Sequence, residues 1–255
     1  MYWIGALMED TPRVNFMWHL VWDYRAELIR GLLTAFNVAI TALILSFFVG
    51  LLFALMKMSR FAVLRGTASF YINIFRGIPA LVSVIWVYFG WSLLFGYNFT
   101  VYQAGVIALT LLYSSFFAEI FRSALEAIHK GQREAGLALG MGRWRIFRSV
   151  VMPQALKIAL PNIGSMFIGM IKDTSTFTVI GLAELVYIMQ NINSQYFQPF
   201  VLYTAAAGLY VAAAFLVDFI FRGFESAFTY PKQGAIKRFL TRSKRAQIQK
   251  LVDAG

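Results

Sequence analysis

Long uncharged runs separated by short polar segments dominate the chain. The first run lies between Arg30 and Lys57 and contains no charged residue. Because a helix needs about 20 mostly apolar residues to cross the hydrocarbon core of a bilayer, this run predicts one membrane span. The uncharged run 77–118 is too long for one crossing, and the polar stretch 96–100 divides it into two. The predicted spans lie at about 31–56, 78–95, 101–120, 162–185 and 201–221.

Composition supports a membrane environment. The chain is 59% hydrophobic and only 14% charged, whereas an ordinary soluble domain is about 45–50% apolar and about 25% charged. Such a low charge content excludes a disordered chain, a coiled coil and an ordinary nucleic-acid-binding domain. The expected fold is therefore an all-α integral membrane protein with five transmembrane helices.

Basic residues are concentrated on one side of the predicted spans. They cluster in 57–76, in 119–157 and in the tail from Arg222, whereas the predicted loops 96–100 and 186–200 carry no charge. By the positive-inside rule the basic segments face the cytoplasm. This places the N-terminus outside and the C-terminus inside, as five spans require. The net charge of +11 is thus interpreted as a result of topology and not as a sign of a nucleic-acid partner.

The flanking segments are expected to differ from the membrane domain at 31–225. Residues 1–30 form a periplasmic or interfacial segment without the pattern of a cleavable signal peptide. Residues 226–255 form a basic cytoplasmic tail, whose interspersed apolar residues favour a helix on anionic lipid over a specific protein contact. The chain has no cysteine, and its two histidines, His19 and His129, lie far apart in sequence. We therefore expect no metal site, no cofactor and no catalytic residue on this chain.

The segment between the third and fourth predicted spans has the pattern of two short helices joined by a turn. The residues before Gly140 favour a helix, Gly140 and Gly142 interrupt it, and the following residues resume a helix that is expected to end at Pro153. Trp144 and Phe147 are three positions apart and should share one helix face. We expect this pair to pack on the loop itself or on the membrane surface and not on a partner.

This segment resembles the EAA loop of ABC importer permeases, at about 131–155. The family pattern is Glu-Ala-Ala, three residues, Gly, nine residues and Ile-x-Leu-Pro. It is present here as Glu134-Ala135-Gly136, Gly140 and Val150-Val151-Met152-Pro153, with Gly136, Val150 and Met152 as conservative departures. The resemblance implies that the loop inserts a coupling helix into a cleft of a separate ATP-hydrolysing subunit, which binds ATP and Mg²⁺. The residues expected to couple to that ATPase are Glu134, Ala135, Gly136, Gly140, Met141 and Gly142. For Glu134 the alternative is an exposed helix residue without a docking role.

Further motifs are similar to those of permeases for polar amino acids. They are Phe75-Arg76-Gly77-Ile78-Pro79, Ala118-Glu119-Ile120-Phe121-Arg122, Pro153-Gln154-Ala155, Leu160-Pro161-Asn162 and Ile171-Lys172-Asp173-Thr174-Ser175. The resemblance covers about 30–225 and implies a permease subunit in the bacterial inner membrane. It also implies a second permease, identical or homologous, two ATPase subunits and a periplasmic substrate-binding protein. The sequence contains no Gly-Lys dipeptide and hence no phosphate-binding loop of the Gly-x-x-x-x-Gly-Lys type, so we expect this chain not to be an enzyme.

Two adjacent charges, Lys172 and Asp173, fall near the middle of the fourth predicted span. A charge at the bilayer centre costs about 2.5–3.5 kcal/mol on insertion scales, so such residues are candidates for function. One interpretation places Lys172, Asp173, Ser175 and Thr176 along the transport path, where Asp173 meets a substrate ammonium group. In the other, the two charges tie the helix to a neighbouring helix or to the second permease. The sequence leaves both open.

Other functions remain alternatives at this point. The same architecture would suit a permease for another small zwitterion, such as an opine or a compatible solute. An ATP-independent secondary transporter, a channel or a membrane scaffold is less favoured, because the EAA spacing is then unexplained and no internal repeat is evident.

At the end of the third span, Glu119 and Arg122 are spaced to form an i,i+3 ion pair, with a role in gating as the alternative.

Overall fold

The computed structural model describes residues 15–228, and every regular element within that range is helical. The helices are α1 (His19–Asp23), α2 (Arg25–Lys57), α3 (Ala62–Gly77), α4 (Ala80–Phe95), α5 (Val101–Glu126), α6 (Lys130–Ala138), α7 (Arg143–Ile180), α8 (Leu185–Tyr196) and α9 (Pro199–Phe228). Within the described range, four of them, α2, α5, α7 and α9, are long and apolar enough to cross a membrane. The bent pair α3 and α4 gives a fifth candidate span if the two count as one.

The basic segment 57–76 is largely helical. It forms α3, and α4 follows at an angle of 106°. The bend lies at Pro79, which has φ −63° and ψ 147°, and the preceding residue, Ile78, is also extended. Proline disfavours helical geometry at the residue before it, so the helix ends there and a new one begins. The sequence pattern assigned this segment to the cytoplasmic side and did not predict a helix in it.

Helix α7 departs from the predicted boundaries at both ends. It does not end at Pro153 but continues through it, directly after a π turn at Phe147–Val151. Pro153 thereby lies in the first turn of the next α-helical segment, where a missing N–H is tolerated best. The span predicted to reach residue 185 instead ends with a 3₁₀ turn, Thr174–Ile180, followed by Gly181 at φ 82°. Lys172 and Asp173 are thus close to the end of the helix and not at its middle.

The uncharged segment 186–200 was expected to be a loop, and most of it forms α8 instead. The helix packs against the start of α2 in a cluster of buried side chains that includes Leu28, Leu185 and Met189. A Cβ on Gly31 would lie 2.9 Å from the Cα of Leu185. Glycine is therefore what lets the two backbones approach, and the buried apolar face accounts for the helix.

Helices α2, α3 and α5 pack closely. A Cβ on Gly50 of α2 would lie 2.7 Å from the Cβ of Phe117 in α5. Tyr71 of α3 stacks on Phe53 of α2 at 3.8 Å between ring centroids. Its hydroxyl lies 2.7 Å from the Oγ of Ser114 in α5. Together these contacts attach α3 to the long helices.

Large apolar side chains are exposed along the candidate spans. Phe48 on α2 is 64% exposed and Phe215 on α9 is 70% exposed. Soluble proteins rarely leave extended apolar faces uncovered, whereas a bilayer solvates them. Among the described residues the chain divides into two compact units, 15–123 with 162–218 and 124–161 with 219–228.

Candidate coupling turn and transport-path residues

The turn between α6 and α7 is built by a left-handed glycine. Gly140 has φ 72°, and the two backbone hydrogen bonds of a Schellman motif close the end of α6. The N–H of Gly140 donates to the carbonyl of Leu137 at 2.9 Å, and the N–H of Met141 donates to that of Gly136 at 3.0 Å. The predicted helix–turn–helix is present, and its turn is defined by backbone geometry.

A small apolar core supports this turn. Ile128, Ile146 and Val151 are buried together, and Met141 packs against them. A Cβ on Gly136 would lie 2.8 Å from the Cγ1 of Ile146. The departure from the family pattern at Gly136 therefore has a structural reason, since Ile146 occupies the space that an alanine methyl group would need.

The predicted coupling residues divide into an exposed and an inward-facing group. Glu134, Ala135, Gly140 and Gly142 are exposed, Met141 is half-buried and Gly136 is buried. The sequence analysis missed Leu139, which is 80% exposed at the tip of the turn. The sequence feature that could have indicated Leu139 is its place as an apolar residue directly before the turn glycine. The exposed members form a surface that a partner can reach.

Aromatic and basic side chains flank the same turn. Trp144 and Phe147 stack with 5.7 Å between ring centroids, which confirms that they share a face. Trp144 is 70% exposed, so of the two expected locations the loop itself does not bury it, and packing on the membrane surface stays a prediction. An open cavity of about 310 Å³ lies between α6 and the start of α7. It is lined by Arg133, Leu137, Arg143, Ile146, Phe147 and Val151.

Asp173 lies at the junction between the α-helical and 3₁₀ parts of α7. The hydroxyl of Tyr113 in α5 donates to its Oδ2 at 2.9 Å. Tyr113 also passes close to Gly169, where a Cβ would lie 2.8 Å from the hydroxyl oxygen. Lys172 is exposed, whereas Asp173 is half-buried. Asp173 is thus tied to a neighbouring helix, as one interpretation proposed, while its Oδ1 is not used in that contact.

The hydroxyl groups that follow Asp173 bond to their own helix. Ser175 donates to the carbonyl of Lys172 at 2.6 Å, and Thr176 donates to that of Asp173 at 2.8 Å. A hydroxyl has one hydrogen to donate but two lone pairs. In this state Ser175 and Thr176 can therefore only accept hydrogen bonds from a substrate.

Sequence reasoning missed a fully buried acid that follows the 3₁₀ segment. Glu184, just after α7, is 0% exposed. Its Oε1 accepts the N–H of Tyr187 at 2.9 Å, and its Oε2 accepts the hydroxyl of Tyr210 in α9 at 2.6 Å. The sequence feature that could have indicated Glu184 is that it is a single acidic residue within an otherwise apolar stretch.

An ion cluster joins the ends of α2 and α5. The Nε of Arg122 donates to the Oε2 of Glu119 at 2.8 Å, which confirms the predicted i,i+3 pair. Lys57 pairs with the other carboxylate oxygen of Glu119, and sequence spacing gave no indication of this contact. The three side chains are partly buried. Within residues 15–228 no three metal-ligating side chains come together.

Comparison with known proteins agrees with these features. Residues 46–230 match the family described as the inner membrane component of binding-protein-dependent transport systems. The chain is 34% identical to the glutamine transport system permease protein GlnP of Escherichia coli strain K12, over 83% of this chain and 97% of the relative. It is 32% identical to the arginine ABC transporter permease protein ArtQ of Haemophilus influenzae, over 83% of this chain and 98% of the relative.

Solved structures share the fold. A crystal structure of an amino acid ABC transporter with histidines aligns with a TM-score of 0.77 and 34% identity, over 85% of this chain and all of that one. An inward-facing MetNI methionine ABC transporter aligns with a TM-score of 0.69 and 24% identity, over 82% of this chain and 99% of that one. The resemblance inferred from the EAA loop is thus confirmed. The chain is a multi-pass integral membrane protein that belongs to the family of binding-protein-dependent transport system inner membrane components.

Proposed function

We propose that the chain is the permease subunit of an ATP-driven ABC importer that moves polar amino acids across the bacterial inner membrane. The observation that carries the proposal is the exposed turn centred on Gly140 between two candidate spans, within a chain that matches a permease family over residues 46–230. The names of the relatives, which refer to glutamine and arginine transport, support amino acids over opines or compatible solutes. A panel of labelled solutes in an uptake assay tests this choice.

The turn is proposed to dock on a separate ATPase subunit that binds ATP and Mg²⁺. Glu134 presents a carboxylate and Leu139 an apolar tip on the exposed side of the turn. This combination suits an interface with a central apolar contact and a charged rim. The full assembly is proposed to contain two ATPase subunits, a second permease, identical or homologous, and a periplasmic binding protein. ATP hydrolysis belongs to the partner chain.

Affinity purification from the native membrane in mild detergent, followed by mass spectrometry, tests the assembly. We expect a stoichiometric partner that carries a phosphate-binding loop. A hydrogen bond to a charged group contributes about 1.5–3 kcal/mol, so Glu134→Gln should weaken retention of that partner about tenfold or more. Glu27→Gln removes an exposed acid at the start of α2 and serves as the matched control. A chain that purifies alone in several detergents contradicts the proposal.

The proposed topology has the five spans that the sequence predicts, with α4 as the second span, α3 within the basic cytoplasmic segment 57–76, the N-terminus outside and the C-terminus inside. The chain contains no cysteine, so single-cysteine variants report accessibility directly. Tyr97 and Leu139 are 55% and 80% exposed. A membrane-impermeant maleimide should label Tyr97→Cys in intact cells and Leu139→Cys only after permeabilisation. Labelling of both variants from the same side contradicts the topology.

The residues Lys172, Asp173, Ser175 and Thr176 are proposed to face the transport path. Tyr113 uses the Oδ2 of Asp173, so Oδ1 can receive a substrate ammonium group. Ser175 and Thr176 offer acceptor lone pairs to the same group. Because a charged hydrogen bond contributes about 1.5–3 kcal/mol, Asp173→Asn should raise the KM for uptake about tenfold or more.

Measurements on the reconstituted complex in proteoliposomes test this assignment. Lys172→Gln, at the adjacent exposed position, changes charge without removing the carboxylate and serves as the comparison. If Asp173→Asn transports with an unchanged KM, Asp173 does not contact the substrate. An effect of Lys172→Gln without one of Asp173→Asn would assign the neighbouring cation instead.

A further inference from the structure

An apolar cavity of about 290 Å³ lies at the bend between α3 and α4. Its lining comes from the end of α3, from α4 and from α5, and includes Ile74, Phe75, Val82, Trp86 and Leu111. With the exception of Ser83, every lining side chain is apolar or aromatic. Val82 and Trp86 are each 52% exposed, so the cavity opens on the surface of the helix bundle. Such a cavity suits an apolar chain and not a polar amino acid.

Helix α3 separates its exposed apolar side chains from its basic ones. Val63, Phe70 and Ile74 are exposed and, at their spacing, form one stripe along the helix. Arg65 and Arg76 are also exposed, and the helical repeat places them together on the opposite side. Since α4 meets α3 at 106°, α3 lies near the membrane plane when α4 crosses the bilayer. These properties are typical of a helix at the membrane–water interface.

Arg76 places a positive charge beside the cavity. It falls between Phe75 and Ile78, and both of these residues line the cavity. Its guanidinium lies 5.4 Å from the ring centroid of Phe116 in α5. Phe116 follows the lining residue Leu111 by about 7.5 Å along the helix, toward the cytoplasmic end in the proposed topology. Among the described residues no carboxylate pairs with Arg76, so its charge is available to a ligand.

The charge of α3 favours a lipid over a second copy of the chain as the occupant. The helix contains two arginines and no acidic residue. In a contact through a twofold axis the same surface meets itself, so two copies would bring these basic helices together without a compensating acid. An anionic phospholipid instead offers an acyl chain to the cavity and a phosphate to the guanidinium. The negative potential of the cytoplasmic leaflet favours the same arrangement.

We propose that the bend between α3 and α4 is a binding site for an anionic phospholipid. An acyl chain occupies the cavity along α4, and the headgroup phosphate accepts hydrogen bonds from the guanidinium of Arg76, whose fork geometry matches phosphate oxygens. The inference goes beyond the proposed function, because it concerns neither the transported solute nor the ATPase. It uses only the proposed placement of α3 on the cytoplasmic side.

Native mass spectrometry of the detergent-purified protein, with the subunits that it retains, measures this binding directly. The probes are dioleoylphosphatidylglycerol, which is anionic, and dioleoylphosphatidylcholine, which has the same acyl chains but no net charge. We expect the anionic lipid to bind more tightly. Arg76→Gln should raise its Kd about tenfold or more, because a charged hydrogen bond is lost. The anionic lipid should also raise the melting temperature of the wild type more than that of Arg76→Gln.

Two matched controls separate the cavity from general attraction to a basic helix. Arg65→Gln removes the same charge from the same side of α3, about 16 Å along the helix, which exceeds the Debye length of about 10 Å at 0.1 M salt. Its Kd should stay close to that of the wild type. Val82→Trp fills the cavity and should weaken binding of both lipids, about tenfold if it excludes two methylene groups. Val63→Trp, 79% exposed on α3 and outside the lining, should weaken neither.

Three outcomes overturn the proposal. Equal affinity for the two lipids, or equal losses for Arg76→Gln and Arg65→Gln, would mean that no specific charge contact forms. Equal effects of Val82→Trp and Val63→Trp would mean that no acyl chain enters the cavity. A disulfide between two copies of a Val82→Cys variant, in a protein that binds neither lipid, would assign the cavity to the second permease. Because every readout is lipid binding or stability, failure here leaves the proposed transport function untouched, and the uptake assays test that function separately.

Discussion

Gly140 allows the cost of a left-handed backbone to be measured without any contribution from packing. Its φ is 72°, and a Cβ added there would meet no atom within 4 Å. Replacement by alanine therefore introduces backbone strain and nothing else. A left-handed conformation costs a non-glycine residue roughly 1–2 kcal/mol. Gly140→Ala should accordingly raise the population of the opened turn about 5- to 30-fold.

Hydrogen exchange measured by mass spectrometry reports this opening directly. The amides of Gly140 and Met141 donate to carbonyls of α6 in the closed turn, so their exchange should accelerate by the same factor. Gly142→Ala is the matched control, because Gly142 is also in open space but has φ −66° and ψ 151°, which alanine adopts freely. We expect its exchange to remain within about twofold of the wild type, or to slow slightly, because alanine reduces the entropy of the opened chain.

The reasoning is refuted if Gly140→Ala and Gly142→Ala accelerate exchange equally, or if neither does. Gly140→Asn provides a graded test, because asparagine enters the left-handed region more easily than alanine. Its acceleration should lie between those of the wild type and Gly140→Ala. The reverse order would mean that side-chain contacts, and not backbone geometry, determine the stability of the turn.

Two further predictions concern stability, measured as the melting temperature of the chain in one detergent. Gly50→Ala should lower the melting temperature, because the new Cβ would lie 2.7 Å from an atom of α5 and overpacking costs about 1–3 kcal/mol. The control is Gly66→Ala, in open space within α3. It should leave the melting temperature unchanged or raise it, because alanine in a helix is about 0.5–1 kcal/mol more stable than glycine. Glu119→Gln should lower the melting temperature more than Lys57→Met does. The carboxylate of Glu119 pairs with both Lys57 and Arg122, whereas Lys57→Met leaves the pair with Arg122 intact. A larger loss for Lys57→Met would contradict this description of the ion cluster.

The helix–turn–helix was predictable because its determinants are local. Gly140, the apolar residues before it and the basic residues after it specify a helix end and a new start within a few positions. The same local rules failed at Pro153, because they cannot foresee the π turn that precedes it. They also failed at α8, whose helix is stabilised by burial against α2 more than by its own residues.

The candidate site was only half predictable. Asp173 was found because a charge within an apolar run is costly and therefore informative. Glu184 follows the same rule, but it lay at the predicted edge of the span and was passed over. Ser175 and Thr176 were identified by residue type alone. Only coordinates reveal that their hydroxyl hydrogens are used within the helix.

The sequence by itself determined that this is a helical membrane protein and which segment resembles the EAA loop. Those properties depend on hydropathy, charge and spacing along one dimension. The tertiary structure decided the partners: Tyr113 with Asp173, Lys57 with Glu119, and Tyr210 with Glu184, separated by 60, 62 and 26 positions. Such pairs depend on where helices cross and how each is rotated about its axis. A shift of one residue turns a helical side chain by about 100°, so no pattern along the chain specifies which side chains meet.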